Sequence, residues 1–427
     1  MKFKKPKNEN YAATIVVIKN VIELEGCDNI QGTIIFGNHV IIGKDVSVGN
    51  KGVFFPAETQ LSHEYAYENN LYRHAELNKD KEKKGYIEDN RRIRTMKLRG
   101  NKSCGLFMPL SSLATFLDKY QLIEEGDTFD EINTIPICNK YIVKKKNSQG
   151  QNKKKKAKKI SKLLDNQFRF HQDTSNLGKN AHKFKSDDLI SITYKIHGTS
   201  TISSKILCKK KINWFYKLLR FFKVKIVDFE YDNIYSSRKV IKNDDMNEGK
   251  NSFYNVDIWG LANKVLNEYL LDGMTIYAEI VGYLPTGAYI QKPFDYGCKD
   301  NTFEVYIYRI TYTNSSGNVF EFSWKQLKDW CNDRGLKHVP ELFYGPVRDV
   351  LRYGDKFESL ADDLIESLRD EYLEQDCWMC KNKVPAEGIV IRKECNDFEA
   401  YKFKSFKFLE FETKKLDKGE SDIEEEN

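Results

Sequence analysis

Lys195 lies in ISITYKIHGTS, directly after a run of β-branched and aromatic residues and directly before a His-Gly-Thr-Ser turn. A lysine at the end of a strand projects into the cleft that the next turn bounds, and Gly198 lets backbone approach closely there. Its amine attacks phosphorus or carbonyl carbon only when neutral, whereas a free lysine, with pKa near ~10.4, is almost wholly protonated at neutral pH. Neighbouring cations or burial must lower that value. Lys402 and Lys404, in YKFKSF, stand two apart and so share one face of a strand. Beside Lys195 they would depress its amine by like-charge repulsion and bind phosphate oxygens. Glu279 in YAEIVG and Glu387 in AEGIVIRK adjoin short apolar runs. A carboxylate at a cleft rim accepts a ribose hydroxyl or holds a divalent cation through water. Tyr306 and Tyr308 in FEVYIYRI alternate onto one face, so either can stack on a base. Taken one by one, these residues read equally as a surface lysine before a turn, solvated strand ends and a core tyrosine.

The elements that must position them follow from periodicity. LISITYKI, MTIYAEIVGY, FEVYIYRITYT, EGIVIRK and EAYKFKSFKF read as strands. VDIWGLANKVLNEYLLDG, ending in Asp-Gly, and FSWKQLKDWCNDRGLK, ending at Gly335, read as helices. The mixture implies an α+β domain with much antiparallel sheet. Upstream, YAATIVVIKNVIEL, QGTIIFGNHVIIG and KGVFFPA are short strand-like runs between Gly, Asn and Asp turns, the pattern of a small β-barrel or sandwich. NNLYRHAELNKDKEKKGYIEDNRRIRTMKLRG is polar and reads as a long loop or helix before a closing segment, CGLFMPLSSLATFL.

Between the halves, ten lysines from Lys144 to Lys162 occur with no acidic residue among them, a solvated linker. Removing those ten charges from the net +7 leaves −3, so bulk charge is no argument for nucleic acid. The division is a first module over residues 1–143, a linker over 144–163 and a second domain over 164–427, whose acidic end, DKGESDIEEEN, frays. A chain of 427 residues exceeds one compact core, and 40% hydrophobic with 13% aromatic residues is enough to fold without staples. Nine scattered cysteines, an odd number, point to free thiols in a reducing compartment and exclude a secreted disulfide scaffold. Cys377 and Cys380 form CWMC without the second pair a zinc site needs, and read as structural. No apolar run approaches the roughly 20 residues of a membrane span, and no signal-peptide pattern opens the chain, so an intracellular location, cytoplasmic or nuclear, is expected. From Trp214 to Phe222, Trp214, Phe215, Leu218, Leu219 and Phe222 share a helical face opposite Lys217, Arg220 and Lys223, a short basic amphipathic helix expected to pack on its own domain, with RNA or membrane contact the alternative.

In that order along the chain, KIHGTS, YAEIVGY, VYIYRI, EGIVIRK and YKFK resemble motifs I, III, IIIa, IV and V of the covalent nucleotidyltransferases, the superfamily of ATP-dependent ligases and capping enzymes. KIHGT is similar to motif I of the RNA ligase 2 group. ATIVVIKNV, VGNKGVFFP, RIRTMKLRG and SCGL resemble an OB-like module that precedes the ligase domain in a separate family of RNA ligases. The resemblance implies an α+β chain: an N-terminal OB-like β-barrel followed by an ATP-grasp-like, antiparallel-sheet nucleotidyltransferase domain. It implies an ATP-dependent RNA ligase that joins 3'-hydroxyl and 5'-phosphate ends through a lysyl-AMP intermediate, with Mg²⁺ or Mn²⁺. The expected partner is RNA, as nicked duplex or RNA–DNA hybrid ends, and the expected state is a monomer off the membrane.

Carried over by position, Lys195 is adenylylated, Glu279 contacts the AMP ribose and Tyr308 stacks on adenine. Glu387 positions a metal, and Lys402 with Lys404 binds the α-phosphate. Arg238, in YSSRKV, matches a basic residue that contacts phosphate or nick, and His197 with Gly198 contacts the AMP phosphate. The sequence departs from the pattern twice: His197 stands where many relatives have Asp, and Arg309 follows Tyr308 where an acidic residue is usual. A capping guanylyltransferase or DNA ligase shares these motifs but generally appends an OB domain after motif V, and only 23 residues follow Lys404. A non-catalytic OB-fold RNA-binding protein would have no use for intact Lys195, Glu387 and Lys402.

Overall fold

The computed structural model describes residues 3–118, 122–143, 162–210, 228–242 and 256–420. Most of the lysine-rich linker, the Trp214–Phe222 stretch and the end of the acidic tail lie outside the described residues.

The N-terminal half runs β1 (Ala13–Val17), the hairpin β2 (Ile30–Ile35) and β3 (Asn38–Gly43), β4 (Lys51–Phe55), β5 (Thr59–Leu61) and α1 (His63–Glu68). There follow the hairpin β6 (Thr95–Leu98) and β7 (Asn101–Cys104), then β8 (Leu106–Pro109), β9 (Thr128–Phe129), β10 (Glu131–Ile132), β11 (Ile135–Pro136) and β12 (Cys138–Lys140). An antiparallel sheet in the order β8-β4-β1-β9 is its centre. The runs ATIVV and GVFF lack polar alternation because both faces of that sheet are covered. Ile15, Val53 and Phe55 pack with Tyr65 and Phe129 on one side, and Val16 and Phe54 pack with Val40, Ile42 and Phe107 on the other. The sheet stays open and the hairpins pair only within themselves, so no closed barrel forms among the described residues. The polar stretch before β6 is a loop, not a long helix. Fully buried Asn78 organises it, accepting from the Tyr72 N–H and donating to the Tyr72 and Lys83 carbonyls.

The C-terminal half holds β13 (Ser175–Asn176), α2 (Leu177–Asn180), β14 (Leu189–Lys195), β15 (Thr199–Lys209), β16 (Phe229–Ser237), α3 (Ile258–Asn267), β17 (Met274–Gly282), β18 (Phe303–Thr313) and β19 (Val319–Glu321). It continues with α4 (Trp324–Asn332), β20 (Glu341–Pro346), α5 (Leu360–Tyr372), β21 (Gly388–Lys393), β22 (Glu399–Lys404) and α6 (Phe406–Asp417). The strands form two five-stranded sheets, β13-β22-β21-β14-β20 and β16-β15-β17-β18-β19; the chain first crosses between them at the His197-Gly198 turn and returns between β19 and β20. Helix α3 ends at Asn267, short of the Asp272-Gly273 pair, and Gly273, at φ +87, leads into β17. The strand-like EAYKFKSFKF ends at Lys404, since the Ser405 side chain accepts from the Phe408 N–H and caps α6.

Strand alternation decides what each face of the first sheet carries. Ile190, Ile192, Ile389, Ile391, Tyr401 and Phe403 point to one side and pack with Leu364, Ile365 and Leu368 of α5. Ser191, Thr193, Lys195, Lys402 and Lys404 point to the other, into a deep cleft. The N-terminal half is seated against this domain by polar contacts. Asn10 accepts from the Asn176 N–H at 3.0 Å, Lys179 reaches the Thr14 hydroxyl at 3.0 Å, and Arg369 donates to the Gly37 carbonyl.

Ile192 is fully buried beneath the cleft floor. Truncating it, Ile192→Ala, should lower unfolding stability by about 2–5 kcal/mol through lost burial and the cavity left behind. The midpoint of urea unfolding measures this, and a change under about 1 kcal/mol would show that the sheet repacks freely.

Candidate active site

Three neighbouring strands align the polar cluster. Lys195 of β14 stands opposite Gly388 of β21, and Gly388 opposite Lys404 of β22; one step along, Thr193, Val390 and Lys402 form the next row. Glu387 immediately precedes Gly388, so its carboxylate arrives between the two lysines of the first row. Its Oε1 lies 2.8 Å from Lys195 Nζ and 3.4 Å from Lys404 Nζ. Burial alone would raise this carboxyl, but Lys195, Lys404 and His197 outweigh it and hold it down to about 2. The second oxygen, Oε2, is buried with no hydrogen-bond partner, and His197 Nδ1 stands 3.8 Å from it.

The lysines of β22 are electrostatically unlike. For Lys404, burial opposes the charge, yet Glu412 at 2.8 Å and Glu387 hold the ammonium well above the usual lysine range. For Lys402, burial and the nearby Lys404 and Lys195 push it down to about 7, with Asp173 a partial counterweight. The sequence treats the two as a matched pair; the structure makes one a fixed cation and the other a titrating amine.

The turn after Lys195 is held from several sides. The His197 N–H donates to the Tyr296 hydroxyl at 2.6 Å, and the Gly198 N–H donates to Glu279 Oε1 at 3.0 Å. The Gly198 carbonyl accepts from Gln291 at 3.0 Å. A Cβ on Gly198 would stand 2.3 Å from the Ile280 carbonyl oxygen, so only glycine fits. The His197 ring is set edge-to-face between Phe294 and Phe408, at 4.9 and 5.0 Å. Glu279 therefore lines the cleft and also ties the turn down.

Register singles out Tyr308 over Tyr306. Between β17 and β18, Tyr277 pairs with Arg309 and Ala278 with Ile307, so Tyr308 is the bulged residue, and it lines the cleft with its hydroxyl 3.1 Å from Ser200 Oγ. Arg309 finds its acidic partner on the next strand, where it pairs with buried Glu321. Arg238, just beyond β16, pairs with Asp173 at the cleft wall. Every residue singled out from the sequence as a site candidate, apart from Tyr306 and the backbone position Gly198, has its side chain on this one cleft.

The structure adds residues that no local motif signals. His171 meets Tyr308 edge-on at 5.2 Å, and burial, with Arg309 and Arg238 near it, holds its imidazole down to about 3 and hence neutral. Asp173 and Tyr296 come from loops, and Tyr11, Lys140 and Tyr141 reach the cleft from the N-terminal half. Cys377 and Cys380 lie behind the cleft; the Tyr296 N–H points at Cys380 Sγ, and the Cys380 thiol holds Cys377 below the usual thiol range. Among the described residues, no group of three or more His, Cys, Asp and Glu side chains could hold a metal on its own. The orphaned Glu387 Oε2 still fits a hard cation that keeps most of its waters. Among the described residues no helix is long and apolar enough to cross a membrane.

This arrangement, an amine and a fixed cation on a buried carboxylate, with a further lysine alongside and an aromatic wall, is suited to nucleotidyl transfer. The chain is similar in fold to a Naegleria gruberi RNA ligase variant solved with ATP and Mn, with 16% identity, coverage of 95% of this chain and 99% of that one, and a TM-score of 0.57. A Naegleria gruberi RNA ligase with PPi gives 15% identity, the same coverage and a TM-score of 0.56. At such identity the likeness is one of fold. No protein in the curated set matches. The RNA ligase family model matches residues 188–409, more than half of the chain and the span that carries Lys195, Glu279, Tyr308, Glu387, Lys402 and Lys404, and the chain therefore belongs to the RNA ligase family.

Proposed function

We propose that the protein is an ATP-dependent RNA ligase that joins 3'-hydroxyl and 5'-phosphate ends through a Lys195–AMP intermediate, acting on nicks in RNA repair. The observation that carries this reading is the Lys195 amine 2.8 Å from Glu387 Oε1, with Lys404 on the same oxygen. The Naegleria ligase is solved with ATP and Mn, and we assign ATP and Mg²⁺ or Mn²⁺ to this cleft by that likeness and by its chemistry.

In the first step the Lys195 ammonium releases a proton to solvent, the neutral Nζ attacks the α-phosphorus, the bond to the bridging oxygen breaks and pyrophosphate leaves. A carboxylate held near about 2 is too weak a base to take the amine's proton, so Glu387 orients the nucleophile. Lys404 stays charged and meets the developing charge on the α-phosphate, with Lys402 beside it. In the second step a 5'-phosphate oxygen displaces Lys195 from AMP; in the third, the 3'-hydroxyl attacks the activated 5'-phosphorus and AMP departs. Tyr308 is the adenine platform, Glu279 the ribose contact, and Arg238 with His197 and Gly198 surrounds the phosphate end. A divalent cation held through Glu387 Oε2 and water would neutralise phosphate charge. The OB-like role of residues 1–143 as a nucleic-acid grip, the 144–163 linker and the 164–427 ligase domain complete the proposal, supported by Tyr11 and Lys140 at the cleft mouth.

With α-labelled ATP the wild-type chain should become covalently labelled and release pyrophosphate, and Lys195→Ala should not. Label on Lys195→Ala would overturn the assignment, and a wild-type chain that releases no pyrophosphate would point to a non-catalytic RNA-binding protein. Nicked duplexes with RNA or DNA on each side of the break should be sealed at least about tenfold faster than the same ends as free single strands. Equal rates would remove nick sealing from the proposal.

Lys402 gives a pH signature. Its free amine titrates near about 7, and phosphate contact must raise that value, so binding takes up a proton above pH 7. ATP affinity, measured by calorimetry, should fall as pH rises from 7 towards the raised value, by up to about tenfold per unit. Lys402→Met should bind more weakly at pH 7 and show no such slope; an unchanged slope would place the proton elsewhere.

A further inference from the structure

The cleft has a buried support outside the ligase motifs. Glu412 and Thr413 are consecutive residues of α6. Glu412 faces the cleft and holds Lys404 Nζ at 2.8 and 3.0 Å. Thr413 faces the N-terminal half and is held there at its hydroxyl and its carbonyl. Its hydroxyl donates to Glu58 Oε1 at 2.7 Å and accepts from the Thr95 N–H at 3.3 Å; its carbonyl accepts from Arg92 Nη2 at 3.2 Å. Arg92 reaches on to Asp417 at 2.6 Å, one helical turn along. The Arg92 side chain is wholly inaccessible; its Nε and Glu58 Oε2 face each other as an ion pair at 3.6 Å without a hydrogen bond, and its Nη1 has no hydrogen-bond partner. Such a half-satisfied ionic cluster is costly for a mere domain contact, since apolar residues would seal the seam at least as well. Glu58 also sits at φ +63, where glycine would be easier.

We infer that Glu58 and Arg92 of the N-terminal half are positioning residues for the nucleotidyl-transfer step, setting Lys404 through Thr413 and Glu412. The inference rests on the proposed role of Lys404 at the α-phosphate. A shift of α6 by a fraction of a turn moves Glu412, and Lys404 then swings towards Glu387, its only other carboxylate neighbour among the described residues. Seating of the N-terminal half thus determines whether the phosphate cation is in place, although neither Glu58 nor Arg92 touches Lys404.

The test is a double-mutant cycle on the full chain, read as the single-turnover rate of Lys195 labelling at saturating ATP, with an unfolding midpoint for each variant. Thr413→Val removes the hydroxyl at nearly constant volume, and Glu412→Gln removes the charge that holds Lys404. Each should slow labelling about tenfold, and the double variant should be no slower than the worse single one, because both act through one lysine. Costs that multiply to about a hundredfold, or a Thr413→Val variant that only lowers the unfolding midpoint while the folded enzyme labels at the wild-type rate, would overturn the inference. Lys404→Ala separates the two levels: if it labels normally, the α-phosphate role fails and with it the premise, whereas if it does not label but the pair multiplies, only the positioning role fails.

Discussion

The buried Glu387 carboxylate is the constraint on which the rest depends. It is 4% exposed, and an ionised carboxylate so far from water survives only beside compensating charge. Lys195 and Lys404 supply it, and removing both would leave an uncompensated buried charge, an arrangement that typically costs about 3–5 kcal/mol. The same contact that stabilises the fold therefore points the amine into the cleft. On the proposed reading, conversion of Lys195 to its AMP adduct removes one of the two charges, and Lys404, fixed independently by Glu412, keeps Glu387 ionised through the step.

What was legible in the sequence is what depends on short-range periodicity. Period-two alternation put Lys402 and Lys404 on one face of β22, and the strand-then-glycine pattern put Lys195 at an edge between two sheets. The antiparallel character of the second domain follows from the same runs. Periodicity failed where backbone irregularity intervened. Tyr306 and Tyr308 look equivalent in FEVYIYRI, but the bulge that passes over Tyr308 turns it alone into the cleft, and its signal lies in the partner strand, not in its own. The N-terminal runs read as a barrel because each is strand-like, yet closure requires pairing between hairpins, a long-range property; the described strands form an open sheet covered on both sides.

Charge was legible in kind but not in degree. Two lysines at i and i+2 share a face, and nothing in YKFK distinguishes them. The difference comes from Glu412 on α6, eight residues beyond Lys404, and from Asp173 in a loop far upstream. Arg309, a departure from the expected acidic neighbour of Tyr308, finds its acid across the sheet in Glu321. His171 and Asp173 belong to no motif because their roles depend on the loop before β13 folding back over the cleft.

The cleft is composite, and this has a consequence for how the halves work together. Tyr11, Glu58, Lys140 and Tyr141 line it from one side, and Glu58 with Arg92 also grips α6. Polar contacts at such a seam are individually weak, so a relative shift of the halves is easier than any shift within the sheet that carries Lys195, Glu387 and Lys404, which is fixed by continuous backbone pairing. The nucleophile and its carboxylate are thus rigid partners, and the adjustable element is α6 with Glu412. Any ligand that seats the N-terminal half firmly would stabilise the arrangement in which Lys404 stands ready, by its differential affinity for that arrangement alone.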